Sequence, residues 1–210
     1  MPNFDLMAAF FAAAFVFAVM PGPAILYTAA QTLARGTRAG WLAVLGLHLG
    51  GWAHVFAAAL GLALVFVAVP WAYTGFKIAG ALYLTYLGLR LVFAPSKMAD
   101  VEPDQTFPNE RNALWQSMTV EILNPKTALF FLAFLPQFTD PAASFPIWLQ
   151  LLILGAIVNA MFSCVDIATV NVARQVRSKL QQNATGALWA QRIGGTILMG
   201  LAARLAFDRG

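Results

Sequence analysis

A chain of 210 residues in which 60% are apolar and only 10% are Asp, Glu, Lys or Arg cannot clothe a soluble core; soluble domains carry about 25% charged residues. That balance excludes an ordinary soluble domain and matches lipid as the solvent. The formal net charge of +4 reads as loop charge rather than a nucleic-acid footprint, and the single cysteine, Cys164, excludes an internal disulfide framework or a Cys-based metal cluster.

Six apolar stretches follow in chain order, near 6–33, 40–69, 72–93, 113–136, 146–173 and 190–207. A helix needs about 20 residues to cross the hydrocarbon, so each predicts a transmembrane helix. Met1 to Asp5 hold no Lys or Arg, so no cleavable signal is expected and the first run is read as a retained span. Breakers and charges fall between the runs. Ala34–Arg38 joins the first two spans, and Pro70-Trp71 is expected as a tight turn before the third. Residues 94–112 form the longest polar stretch, Asp140–Pro146 separates the fourth and fifth spans, and Arg174–Thr185 separates the last two.

The first and fourth spans are each interrupted well inside their apolar run, by Met20-Pro21-Gly22-Pro23 and by Leu123-Asn124-Pro125-Lys126. Proline deletes a backbone N–H and clashes with the preceding turn. The groups this frees cannot face lipid, so they must line protein or a wet cavity. The helix restarting near Ala24 presents free N–H groups and a positive dipole end, which suits a carboxylate. A packing kink explains one such break; two at matching positions argue for function.

The third and sixth spans also resemble each other. Lys77, Ile78 and Gly80 match Arg192, Ile193 and Gly195, and after a one-residue gap Arg90-Leu91 and Phe93 match Arg204-Leu205 and Phe207. The expected fold is therefore an all-α polytopic membrane protein of six transmembrane helices, built as two inverted three-helix repeats with the first and fourth helices broken. The repeats would cover 1–94 and 113–210, with a cytoplasmic linker at 95–112. An outside N-terminus gives the cytoplasm Arg35, Arg38, Arg90, Lys97, Arg111, Arg174, Arg177, Lys179 and Arg192, and the outside only Lys77, Arg204 and Arg209. That bias predicts both termini on the periplasmic side.

Ionisable residues at membrane depth default to a functional hypothesis. Glu121 lies three residues before Asn124, on one helix face, and Lys126 directly follows the break. The two can pair in an empty site, or bind the ends of a zwitterion, with Lys126 on the carboxylate and Glu121 on the amine; a structural pair near an interface is the alternative. Asn159, Ser163, Asp166 and, less well aligned, Thr169 mark one face of the fifth span. An Asp held there out of water is a candidate proton carrier, because its charged form is the costly one; an Asp reaching the cytoplasmic interface is the alternative. Glu121 and His54 are further proton-coupling candidates. His48 and His54 lack the spacing of a helical metal pair, and a hydrogen-bonded structural role is the plainer reading of each. The nearby Gly46, Gly50, Gly51 and Ala53 let helices approach closely. The substrate-binding set is then Pro21, Gly22, Pro23, Glu121, Asn124, Pro125, Lys126 and Asn159, with no cofactor, metal or nucleic acid expected.

At these residues the chain resembles the LysE/RhtB family of amino-acid exporters. The carrying segments are PGPAILYTAAQTLARGTRAG (21–40), NPKTALFFLAFLPQF (124–138) and GLHLGGWAH (46–54), in family order and spacing over nearly the whole chain. The resemblance implies a bacterial inner-membrane exporter of amino acids or related small zwitterions, often driven by the proton gradient, and dimeric; rocking of the two halves, exposing the site alternately, is the mechanism expected from the paired breaks. It implies that Pro21, Gly22, Pro23, Asn124, Pro125 and Lys126 shape the translocation site. Glu121 and Asp166 match no family motif and stand on the physical reading alone. A cation or metal-ion exporter on a related fold is the rival within transport, but it needs more convergent carboxylates or histidines at the breaks. A membrane enzyme would need a paired acid/base or metal motif, and a purely structural membrane protein would leave the broken helices unexplained.

Overall fold

A computed structural model describes residues 4–61, 70–93, 110–180 and 184–207, and every regular element among them is helical. The α-helices are α1 (Phe4–Val19), α2 (Pro23–Arg35), α3 (Thr37–Ala59), α4 (Pro70–Val92), α5 (Glu110–Ile122), α6 (Pro125–Leu129), α7 (Ile147–Leu180) and α8 (Ala184–Phe207). A π turn at Phe130–Phe134 and a 3₁₀ turn at Leu135–Phe138 continue α6. Most of the linker, with Lys97, Asp100, Glu102 and Asp104, and the expected end of the second span at 62–69 lie outside the described residues.

Length and apolarity qualify α3 and α7 as membrane spans, and also two bent pairs, α1 with α2 and α5 with the segment Pro125–Phe138. The axes turn by 40° and 45° at the two breaks, as proline inside an apolar run requires. Helices α4 and α8 have 23 and 24 residues, enough to cross by length, but are not among the described helices that qualify by length and apolarity together. Large apolar side chains such as Phe15, Leu82, Tyr86 and Val172 stand on the outside of the bundle, where lipid makes their exposure favourable. The chain is a multi-pass α-helical membrane protein.

Three boundaries differ from the sequence expectation. The loop at 34–38 shrinks to Gly36, whose φ of 98° turns the chain from α2 into α3 in a conformation that L side chains rarely adopt. Pro70-Trp71 is no turn but the first two residues of α4, where proline's missing N–H costs nothing. Helix α7 runs on through Arg174, Gln175 and Lys179 to Leu180, because those residues are good helix formers outside lipid as well.

The packing is carried by small residues. A Cβ on Gly46 would fall 2.7 Å from the Leu114 carbonyl, and one on Gly50 would fall 2.8 Å from that of Met118, so α3 and α5 touch backbone to backbone. Replacing Gly50 with Leu is expected to wedge these helices apart and cost about 1–3 kcal/mol, read as a lower unfolding temperature in detergent and less protein in the membrane. Two further contacts are reciprocal. Gly88 on α4 faces the Gly195 carbonyl and Met199 on α8, while Gly195 faces the Gly88 carbonyl and Val92. Likewise Gly51 on α3 meets Asn159 on α7, and Gly155 on α7 meets Val55 on α3. Two buried clusters result. One joins Tyr27, Leu47, Leu84 and Leu198; the other joins Phe10, Val55, Phe131 and Leu154.

Candidate functional site

The site begins with carbonyls that the two breaks orphan. In an unbroken helix the Glu121 carbonyl would accept from residue 125, but Pro125 has no N–H. Two donors replace it: the Asn124 N–H at 2.9 Å and, from α3, His54 Nε2 at 2.8 Å. A carbonyl only accepts, so His54 carries its proton on Nε2. At the first break the Met20 carbonyl loses its helical partner. It accepts instead from the Lys126 ammonium, 106 residues away. Each break is thus completed by a side chain from elsewhere, and Lys126 ties the second break to the first.

The two restarted helices are capped differently. Asn124 caps α6 itself, its Oδ1 accepting from the Lys126 N–H at 3.1 Å. Gly22 precedes α2 and offers no side-chain acceptor. The Ala24 and Ile25 amides are therefore first-turn N–H groups without a helical partner or a cap, and both residues border a small cavity.

That cavity, of about 20 Å³, is lined by Ala18, Gly22, Ala24, Ile25, Asn124, Lys126, Thr127, Phe162 and Asp166. It has room for about one water molecule, far less than an amino acid needs. The Lys126 stem fills what space Gly22 leaves: a Cβ there would sit 2.6 Å from Lys126 Cδ.

The carboxylates flanking Lys126 are in unlike surroundings. Glu121 is 4% exposed and fully engaged, Oε1 accepting from the Thr127 hydroxyl at 2.8 Å and Oε2 from Asn124 Nδ2 at 3.0 Å. Asp166 is equally buried and faces the cavity, with no protein donor to its carboxylate among the described residues. Both lie close enough to attract the ammonium. A direct Lys126–Glu121 pair is one of the arrangements open from sequence; in this conformation the lysine head goes to the Met20 carbonyl, which the break leaves without a helical donor.

Of the residues singled out from sequence, Gly22, Asn124, Lys126 and Asp166 border the cavity. Pro23 and Pro125 start α2 and α6, Pro21 is exposed in the first break, and Glu121 and His54 brace the second. Asn159 is engaged with α3, donating to the His48 carbonyl at 3.1 Å. Ser163 donates to the Asn159 carbonyl at 2.8 Å, and so accepts from His48 Nδ1 at 2.7 Å. Sequence reasoning passed over Thr127 and the two phenylalanines nearest Lys126, Phe17 and Phe162. The spacing signal for Phe162 existed: it precedes Asp166 by four residues and shares its face.

A family model, LysE type translocator, matches residues 15–209. The chain belongs to this family. The LysE type chain is thus a membrane translocator and not an enzyme. It is 28% identical over 191 residues to a leucine efflux protein of Klebsiella pneumoniae subsp. pneumoniae, covering 90% of this chain and 88% of the relative. A leucine efflux protein of Enterobacter sp. is 28% identical over 204 residues, with 92% and 91% covered. An uncharacterized membrane protein of Pseudomonas aeruginosa is 32% identical over 199 residues, with 90% and 88% covered. No solved structure matches the chain.

One stability prediction for this translocator follows from the Glu121 clasp. Thr127→Val keeps the shape but removes the donor to Oε1. A buried acceptor left unmatched costs about 1–3 kcal/mol, so the variant is expected to unfold at lower temperature in detergent by fluorescence-monitored melting. An unchanged melting curve would mean the clasp contributes nothing.

Proposed function

We propose that this protein exports amino acids or related small zwitterions across the bacterial inner membrane by alternating access at the cavity between the two breaks. One observation carries the reading: both broken helices converge on one small cavity, where Lys126 and the buried Asp166, which has no protein donor among the described residues, meet the uncapped N-terminus of α2. The family membership and the relatives named for leucine efflux support amino acids as the substrate class.

The substrate carboxylate docks at the Ala24 and Ile25 amides, where a helix N-terminus favours an anion, and Lys126 turns to meet it. Asp166 faces the amine or exchanges a proton. Glu121 and Asn124 hold the second break in shape, with His54 as their brace from α3, and Asn159 steadies the α3–α7 contact. Pro21, Pro23 and Pro125 keep both helices interrupted. The first repeat covers 1–94, the linker 95–112 and the second repeat 113–210, giving six spans with both termini periplasmic. The reciprocal Gly88–Gly195 contact and the Gly51–Asn159 and Gly155–Val55 contacts support a two-fold relation between the halves. They favour a register that equates Gly195 with Gly88 in place of Gly80. Rocking of one half on the other then opens the cavity to each side in turn. Efflux of labelled amino acids from cells producing the chain, compared with cells lacking it, tests the reading; no difference across the twenty would refute it.

A further inference from the structure

The Lys126 ammonium rests in a cradle that the carboxylate and proton roles above leave unused. Its Nζ lies 5.6 Å from the centre of the Phe17 ring and 5.7 Å from that of Phe162. Phe130 backs both, 4.8 Å from Phe17 and 5.9 Å from Phe162. The remaining contact is the Met20 carbonyl, which closes the C-terminal end of α1, where the helix dipole favours a cation. Ring faces attract ammonium groups as well. Two carboxylates supply the countercharge: Glu121, already held by Thr127 and Asn124, and Asp166, buried, one turn along α7 from Phe162 and facing the same cavity. Three elements, α1, α7 and the second break, thus assemble a cation site from groups of unrelated kinds.

A lysine has no need of such a place, since its long stem ordinarily carries the head out to water. We propose that Phe17, Phe162 and the Met20 carbonyl form the binding site for the substrate's primary ammonium, and that Lys126 occupies it as a tethered stand-in while the transporter is empty. The inference rests on the amino-acid export reading. On loading, the substrate ammonium replaces the Lys126 ammonium on the Met20 carbonyl, and the released lysine turns to the substrate carboxylate beside Ala24 and Ile25. One ammonium replaces another, so no cation is left unpaired in the membrane and the Met20 carbonyl is never without a donor. The carbonyl demands N–H donors, so a quaternary ammonium is excluded although the rings alone would accept it.

Two measurements test this. The first needs no transport: purified Lys126→Ala protein is melted in detergent with propylammonium or tetramethylammonium chloride at equal ionic strength. Propylammonium is expected to raise the melting temperature saturably in Lys126→Ala, and not in the parent or in Lys126→Ala with Phe162→Leu. Tetramethylammonium is expected to have no effect. No stabilisation by propylammonium, or equal stabilisation by both cations, overturns the assignment. The second uses proteoliposomes and labelled L-leucine, and stands even where Lys126→Ala does not fold. Phe162→Leu and Phe17→Leu are each expected to raise the half-saturating leucine concentration roughly threefold to tenfold. Leucine transport by the parent with unchanged half-saturation in both variants defeats the cradle alone. Absence of transport of any amino acid by the parent defeats the export reading, and the melting result then judges the cation site by itself.

Discussion

Lys126→Ala is expected to abolish measurable efflux while leaving the protein in the membrane. Lys126 does two things that no neighbouring side chain duplicates. It completes the Met20 carbonyl, which the first break leaves without a helical donor, and it brings the cavity its only cation among the described lining residues. A hydrogen bond to a charged group contributes about 1.5–3 kcal/mol, so losing one from the loaded state weakens substrate binding roughly 10- to 150-fold. Removing the tie between the breaks also leaves Asp166 buried without a countercharge, which adds to the loss. Efflux of a labelled amino acid at matched membrane abundance is the measurement. Wild-type rates at equal abundance would remove Lys126 from the mechanism, and the convergence of the breaks would then need another meaning. Gly22→Ala offers a milder companion: the added methyl collides with the lysine stem, and efflux should fall without loss of fold.

Asp166→Asn is expected to separate transport from its driving force. The carboxylate faces the cavity without a protein donor among the described residues, so a proton or a substrate amine is its natural partner. If it carries the proton, the Asn variant keeps exchange of labelled for unlabelled amino acid across proteoliposomes but no longer accumulates substrate in response to an imposed pH gradient. If it holds the amine, exchange falls as well. The parent should respond to the gradient in both cases. A variant that still couples to the gradient as the parent does would exclude Asp166 from proton transfer. Glu121→Gln is the contrast. Each oxygen of that carboxylate already has a donor, from Thr127 and Asn124, so its loss should lower the melting temperature first, with the pH response changing only as the break loosens.

Much of this architecture is visible along the chain, and the reason is locality. Apolar runs long enough to cross a bilayer, and prolines inside two of them, act on their own turns whatever the rest of the molecule does. That is why the bends fall where Pro21, Pro23 and Pro125 stand. The helix restart at Ala24, the shared face of Phe162 and Asp166, and the family segments at 21–40 and 124–138 are legible for the same reason. Locality also explains the misreadings. Pro70-Trp71 has the composition of a turn, yet a proline fits a first helical turn equally well. The end of α7 was set by apolarity, although helix formation does not stop where lipid does.

The pairings across the molecule are another matter. Glu121 and Lys126 are five residues apart and oppositely charged, and the sequence allows them as partners. Packing instead delivers Thr127 and Asn124 to the glutamate and sends the lysine to a carbonyl 106 residues earlier in the chain. Asn159 and Asp166 lie on one face, yet α3 takes the asparagine and leaves the aspartate to the cavity. By itself the sequence determined a membrane class, two interrupted helices and a family, because hydropathy and proline chemistry need no neighbours. Which orphaned carbonyl meets which donor, and which buried acid is left facing the cavity, only the tertiary structure decided, because those choices belong to whichever distant helix packs against the break.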